Sequence, residues 1–499
     1  MIIKSSISKL IKNLQFNHLY GNSLFVFIFA GCINTSNIQE PVNNVPNVTL
    51  SSYSSIIKNE TTLIEKEIPN KWWNLFNDST LSFLEDEATK SNLDILSAVT
   101  RVDESRARLG LVNSNLSPQI DGVAGYSHQA LSENEPLAKL GATTSSTNSY
   151  SIGLQAKWEI DLWGHLRQQV ESAQATLEAT NFEKDFVKVS ISADVARTYL
   201  LLRGVQSQLK INYRQNDIAE HLLHLTQSQQ NNGVANKSDV ALAIENVAKI
   251  KAQQLQLENQ RDILINALTL LVGKYPKELD DKIKIANLVT VPNKIPVSIS
   301  SELALKRPDI MQSEANLRAT LSDIGVAESD FYPRINLVGS FGMKGIDFSD
   351  LGSWDSRNYS IGPSLYLPIF QGGRLERNLE LSTTRHRLAA LNYQKVVLNA
   401  WHEIDNALGT YVSQSKRHSQ LELILEQKQS SLNTIKRGYE EGTQSLKSVL
   451  EAERTLLFSQ FELIDSSTSS SLSIVSLYRS LGGNFTADLQ HQILLDKSK

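Results

Sequence analysis

The segment Tyr150-Ser151-Ile152-Gly153 returns as Tyr359-Ser360-Ile361-Gly362, and the same offset pairs Ile160 with Ile369, Gly164 with Gly373 and Leu166 with Leu375. The correspondence continues without a net gap: Gly233 and Val240 match Gly442 and Val449, and Leu268 with Gly273 match Leu477 with Gly482. Upstream, Asp94-Ile95, Gly110, Pro118 and Ile120 match Asp309-Ile310, Gly325, Pro333 and Ile335 with six more residues of offset, so the one length difference falls between Ile120 and Tyr150, where a loop is expected. A chain that contains one unit twice is expected to fold as two similar halves. The expected boundaries are 81–275 and 307–485, with a segment 32–80 before them, a linker 276–306 between them and a tail 486–499.

Proline placement says what each half contains. None of the 12 prolines lies between Pro136 and Pro276 or after Pro368, so two long stretches lack the strongest helix breaker. Within them Phe182, Phe186, Val189, Ala193, Ala196 and Leu200 step by four and three, as do Ala243, Val247, Ile250, Gln254 and Leu257, and Val397, Trp401, Ile404 and Leu408. That is the spacing of long paired helices. The interval from Gly164 to Gly233 predicts a helix on the order of 100 Å, far longer than a globular domain needs. The helices taken alone also fit a soluble coiled-coil rod.

Before each long helix the period falls to two. Tyr150, Ile152, Leu154, Ala156, Trp158, Ile160 and Leu162 alternate with Ser149, Ser151, Gly153, Gln155, Lys157, Glu159 and Asp161, giving one apolar and one wet face. A weaker partner strand runs through Ile120, Gly122, Ala124 and Tyr126; the second half offers Ile335, Leu337, Gly339, Phe341 and Met343, then Tyr359, Ile361, Leu365, Leu367 and Ile369, with Pro363 as an irregularity. Hairpins are therefore expected at about 118–162 and 333–370, in strands long enough to cross a bilayer at a tilt. Alternation by itself also fits a half-buried soluble sheet. Tyr126, Tyr150, Trp158, Trp163, Tyr359 and Phe370 stand near the strand ends, as interfacial girdles do.

The N-terminus decides between those settings. Lys4, Lys9 and Lys12 precede a short apolar run, and Ala30-Gly31 lead to Cys32, the only cysteine. This is an export signal, residues 1–31, too short to span a bilayer. It ends in a lipobox, although Phe29 stands where leucine is usual. Cleavage before Cys32 leaves a thiol and an amine for acylation, and several buried acyl chains hold a protein firmly on a membrane. Ile33 in place of Asp favours the outer membrane. Removal of 1–31 takes away three lysines and no acid, so the formal charge of -4 becomes about -7, which argues against nucleic acid as a partner. No later run reaches the length of a membrane helix. Four strands cannot close a barrel, and open edges in lipid cost several kcal/mol per unpaired group. Three chains supply twelve strands, an even number within the known range.

Several motifs carry a family resemblance: Trp72-Trp73-x-Leu75-Phe76-x-Asp78, the paired Pro118-Gln119-Ile120 and Pro333-Arg334-Ile335, Arg307-Pro308-Asp309-Ile310, Ile324-Gly325-Val326-Ala327, Leu367-Pro368-Ile369-Phe370-x-Gly372-Gly373-Arg374-Leu375 and Leu477-Tyr478-x-x-Leu481-Gly482-Gly483. Together they resemble the TolC-type outer-membrane factors, in particular the lipoprotein branch typified by OprM, from about Cys32 to Phe485. The resemblance implies an α+β membrane protein: a homotrimer with a 12-stranded outer-membrane β-barrel, four strands per chain, continuous with a long periplasmic α-helical barrel and a mixed equatorial region. It implies a passive exit duct without cofactor, serving a periplasmic adaptor and an inner-membrane pump, most simply a multidrug pump of the resistance-nodulation-division type. No nucleophile–base signature, phosphate loop or dense metal cluster points to an enzyme. Ducts for type I protein secretion or metal export, and a non-conducting periplasmic tether, are the alternatives.

By the same resemblance, Gly233 and Gly442 mark the periplasmic tips that meet the adaptor, and Asp239, Tyr439, Gln444, Ser448 and Glu451 fall at the tip constriction. Ser448 stands where Asp is common, and Gln444 where Arg occurs. Charge complementarity suggests Asp239 with Lys447 or Arg437, beside Glu440 and Glu441. His221 and His224, spaced i, i+3, reach one ion on a helix but lack a third ligand nearby in sequence.

Overall fold

The computed structural model describes residues 62–66, 68–280, 282–283, 288–292, 294–297 and 306–483. Cys32, the leader and the tail therefore lie outside the described residues. The described elements are β1 (Leu63–Glu65), α1 (Ser79–Ser91), α2 (Leu93–Ser114), β2 (Gln119–Gln129), the one-turn α3 (Pro136–Lys139), β3 (Thr147–Ile160), α4 (His165–Asn231), α5 (Lys237–Leu271), β4 (Ile295–Val297), α6 (Pro308–Ser329), β5 (Arg334–Gly345), β6 (Arg357–Tyr366), α7 (Arg374–Glu440) and α8 (Leu446–Ser480). α4 and α7 each contain 67 residues and α5 and α8 each contain 35. The hairpin loops span 130–146 and 346–356, a difference of six residues, where the sequence correspondence places it.

The two hairpins form one antiparallel sheet in the order β2-β3-β5-β6. Its register assembles the alternating residues into continuous faces. One face carries the rows Tyr126/Tyr150, Gly122/Leu154/Phe341/Tyr359, Ile120/Ala156/Gly339/Ile361 and Ile160/Ile335/Leu365. The opposite face carries Asp121/Gln155/Ser340/Ser360, Gln119/Lys157/Val338/Gly362, Val123/Gly153/Gly342/Asn358 and Glu159/Asn336/Ser364, polar but for Val123, Val338 and the glycines. Polar groups enter the apolar face at its loop end, as Arg357 and as His128 hydrogen-bonded to Asn148 at 2.8 Å. β6 stops at Tyr366, short of the Ile369 expected from alternation, because beyond the Arg334–Tyr366 pair it has no neighbour in this chain.

The main core lies where α1, α4, α5, α7 and α8 meet the small parallel pair β1–β4. Tyr199, Leu268, Ile295, Ile404 and Tyr478 are fully enclosed there, and Trp72 stacks on Tyr478 at 5.4 Å. Burying each large apolar side chain contributes about 1.5–3 kcal/mol. Polar pins fix the same region. Asp78 caps α1 by accepting from the Thr80 and Leu81 amides, and its other oxygen accepts from Tyr199 Oη at 2.6 Å. Arg203 donates in turn to Tyr199 Oη at 2.8 Å. Arg307 is 4% exposed and donates to Asp309, to Glu403 at 2.8 Å and to the Ser480 carbonyl at 2.7 Å, so one guanidinium joins α6, α7 and the end of α8.

Toward the far ends the helices pair along narrow seams. Ala243, Val247, Ile250 and Leu257 of α5 are buried as the spacing predicts, and so are Val397, Trp401, Ile404 and Leu408 of α7. α4 departs from the expected stripe: Ala193, Ala196 and Leu200 are buried, but Phe186 is 37% exposed and lines an open cleft with Val189 and Arg307. α4 meets α2, α6, α5 and α8 on different sides, so a single stripe cannot describe it.

Candidate channel wall and tip latch

The sheet is a candidate membrane wall. Ile120, Ile152, Leu154, Phe341, Tyr359, Ile361 and Leu365 are each more than half exposed on one face, while the other face presents mainly hydroxyls, amides and charges, with Val123 and Val338 among them. Aromatic rings bracket the apolar rows. At the loop end Tyr126 meets Tyr150 at a tilt, with ring centroids 5.0 Å apart, and Phe348 meets Tyr150 edge to face at 5.7 Å. At the helix end Trp158 donates to the Leu116 carbonyl, and Trp163 donates to the Pro333 carbonyl while stacking on Tyr332. Tyr150 to Trp158 is about 26 Å of strand, or roughly 20 Å of depth at a 40° tilt. The rings thus stand just inside the borders of an apolar band about 25 Å tall. Among the described residues no helix is long and apolar enough to cross a membrane.

The tip is built by two turns, each about 100 Å along its helix from the sheet. Gly233 and Gly442 have φ of +76° and +75°. Each closes its helix the same way, Val234 N donating to Gln229 O and Thr443 N to Gly438 O, a left-handed cap that favours glycine. The next helices start with different chemistry. Asn236 Oδ1 accepts from Asp239 N at 2.9 Å while Asp239 Oδ2 accepts from Asn236 N at 3.0 Å, a reciprocal capping box. In the second turn Ser445 Oγ accepts from Ser448 N at 3.2 Å, and Ser448 supplies a hydroxyl where Asp239 supplies a carboxylate.

Asp239, Lys447 and Glu451 line one cleft between the first turns of α5 and α8, together with Glu245, Lys249 and Arg454. The Lys249 ammonium hydrogen-bonds Glu245 and holds its carboxyl below the usual value. Among the described residues no ion pair joins Asp239 to Lys447 or Arg437 within the chain. Gln444 lies in the second turn, its side chain against Gly438.

Tyr439 sits apart from that group and lines none of that cleft. Its hydroxyl accepts a 2.9 Å hydrogen bond from Gln229 Nε2, tying the end of α4 to the end of α7. It lines a second cleft with Asp217, His221, Lys436, Glu440 and Glu453. There Lys436 Nζ meets the nearly buried Glu453 at 2.8 Å and pins α7 to α8. Gln229, Lys436 and Glu453 were not legible as tip residues in the sequence; only the register of the turns, which sets Gln229 and Gly438 at corresponding cap carbonyls, hinted at the first. His221 lines this cleft and His224 does not. Among the described residues no three His, Cys, Asp or Glu side chains converge as a metal site.

Comparison with known proteins places this geometry. Residues 84–274 and 299–483 match the family model described as outer membrane efflux protein. The chain is 27% identical to the probable outer membrane lipoprotein SilC of Salmonella typhimurium, over 92% of this chain and 97% of SilC. It is 28% identical to the pyoverdine export outer membrane protein OpmQ of Pseudomonas aeruginosa, over 84% and 88%. The crystal structure of the Campylobacter jejuni CmeC outer membrane channel superposes with a TM-score of 0.81 at 26% identity, covering 88% of this chain and 93% of that one. An α+β chain with a two-faced sheet, two sets of long helices and these relatives belongs to the outer membrane efflux protein family.

Proposed function

We propose that this outer-membrane efflux protein is a homotrimeric exit duct: twelve strands from three chains close a barrel, and the long helices close a periplasmic conduit below it. The observation that carries the reading is the register of the sheet, which gathers Ile120, Ile152, Leu154, Phe341, Tyr359, Ile361 and Leu365 onto one face and leaves β2 and β6 as open edges. Such edges are untenable in hydrocarbon and are met by sister chains. The matching element lengths support two structural repeats, which we place at 81–275 and 307–485. A tether would need no apolar band. The duct is passive, anchored through acylated Cys32, and receives substrate from an inner-membrane pump through an adaptor docked at Gly233 and Gly442. Asp239, Gln444, Lys447, Ser448 and Glu451 form the closed constriction, and Tyr439 holds the end of α7 to the end of α4 beside it. Reconstitution of detergent-purified protein in planar bilayers tests this: trimer mass by native mass spectrometry with channel currents is expected, and a monomer that conducts nothing refutes it.

A further inference from the structure

The loop between β5 and β6, residues 346–356, packs on the outer end of the apolar face. Phe348 meets the Tyr150 ring edge to face at 5.7 Å, and the Gly352 amide donates to Met343 Sδ at 3.2 Å. Tyr150 and Met343 both belong to the apolar rows. The loop carries Ile346, Phe348 and Trp354 at 60%, 71% and 67% exposure, a large apolar surface for so short a turn.

Arg357 opens β6 on the same face, in one row with Ile152 and Met343. Among the described strand residues it is the one permanently charged side chain on that face. A cation facing hydrocarbon is destabilising at the bilayer midplane and nearly free of cost at the headgroup border. Arg357 stands one row in from Tyr150, and its head turns back toward the loop: Nη1 donates to the Trp354 carbonyl at 2.7 Å, and the guanidinium carbon lies 4.6 Å from the Trp354 ring centre. The stem thus runs along apolar surface and the charge is drawn outward. The Trp354 ring and carbonyl fix the orientation of the guanidinium while occupying one N–H group, so the rest of its fork stays open to an acceptor.

We propose that Arg357 and Trp354, with Phe348 and Ile346 beside them, bind a phosphate-bearing lipid of the outer leaflet. The open edge of the guanidinium takes two phosphate oxygens, and the exposed apolar side chains cover the first methylenes of the acyl chains. The charge balance of the loop favours a lipid over a free anion. Asp347 and Asp350 cap one turn between themselves, and Asp355, two residues before Arg357, offsets part of its charge, so apolar contact has to supply the remaining affinity. The depth assigned to this loop rests on the trimeric-duct reading, which also sets one such site per chain.

Native mass spectrometry of detergent-purified full-length protein tests the site, with lipid A as the phosphorylated probe, its dephosphorylated form as the acyl-chain control and inorganic phosphate as competitor. The parent is expected to prefer lipid A to the dephosphorylated form. Arg357→Gln should weaken lipid A uptake about tenfold, the effect of losing a charge-assisted contact. Arg357→Lys, which keeps the charge without the planar fork, should recover part of it. Lys344→Gln removes a cation near the same height on the polar face, beside Ser151, and should change nothing. Equal uptake of both lipids, equal uptake by the parent and Arg357→Gln, a loss as large in Lys344→Gln, or displacement of lipid A by an equimolar amount of inorganic phosphate overturns the site. Planar-bilayer currents are read on the same preparations. A conducting trimer with any of those results leaves the duct standing, and a monomeric, non-conducting parent overturns both.

Discussion

Tyr439→Phe tests the tip latch with the least disturbance, since it removes one hydroxyl and keeps the half-buried ring. The Gln229–Tyr439 hydrogen bond crosses from α4 to α7 at the tip, between residues 210 apart in sequence. A neutral hydrogen bond of this kind contributes about 1 kcal/mol net. If the tip widens by parting α7 from α4, each chain loses one bond, so three chains lose about 3 kcal/mol. At about 1.4 kcal/mol per decade, the ratio of open to closed channels is expected to rise on the order of 100-fold. Single-channel recording in planar bilayers reads this directly as time spent in the high-conductance level. Gln229→Ala should produce the same rise, and the double variant should add little to either, because both remove one interaction. An open probability within about twofold of the parent, or fully additive effects, would refute the latch.

Three further outcomes are expected. Burial raises the Glu85 carboxyl well above its ordinary value of 4.5, with the charge of Asp86 adding to the rise. The folded state therefore holds that proton more tightly than the unfolded state, so stability is complete below pH 4.5 and declines as pH rises through the window up to the folded value. Glu85→Gln should raise the melting temperature at pH 8 and change it little at pH 4, and a loss at pH 8 would contradict this. Arg307→Met strands the partly buried Asp309 and the Ser480 carbonyl and should cost about 3–5 kcal/mol in denaturant unfolding, with Arg307→Lys recovering only part. Gly233→Ala forces a side chain into a left-handed turn at a cost of about 1–2 kcal/mol. Limited proteolysis should then cut faster near 233, and Gly233→Asn should be milder.

What was legible in the sequence was what local chemistry writes. Period-two alternation gave β2, β3 and β5 because both faces of those strands are read in one chain, and proline-free stretches gave the four long helices. Alternation alone carries β6 on to Ile369, but it ends at Tyr366, because no strand of this chain lies beside Leu367 and Ile369. Phe186 fell off the expected stripe because α4 is contacted from several sides at once. The Asp78–Tyr199–Arg203 chain and the Arg307 junction join residues far apart in sequence, and no spacing rule announces such partners. Asp239 is the opposite case: Asn236-x-x-Asp239 before a helix is a capping-box signature, so its local role could have been read beside its proposed gating role.

The two tip turns share a backbone but not a charge. The first runs through amides, Gln229, Gln230, Asn231 and Asn232, and starts its next helix with an Asn236–Asp239 capping box that sets a carboxylate in the first helical turn; the second carries Glu440 and Glu441 and starts with a hydroxyl cap. A ring assembled from three such chains has six teeth of equal height in two alternating kinds. Anything that grips the ring by shape alone meets sixfold symmetry, and anything that senses charge meets only threefold, so successive grips around the rim need not be equally strong.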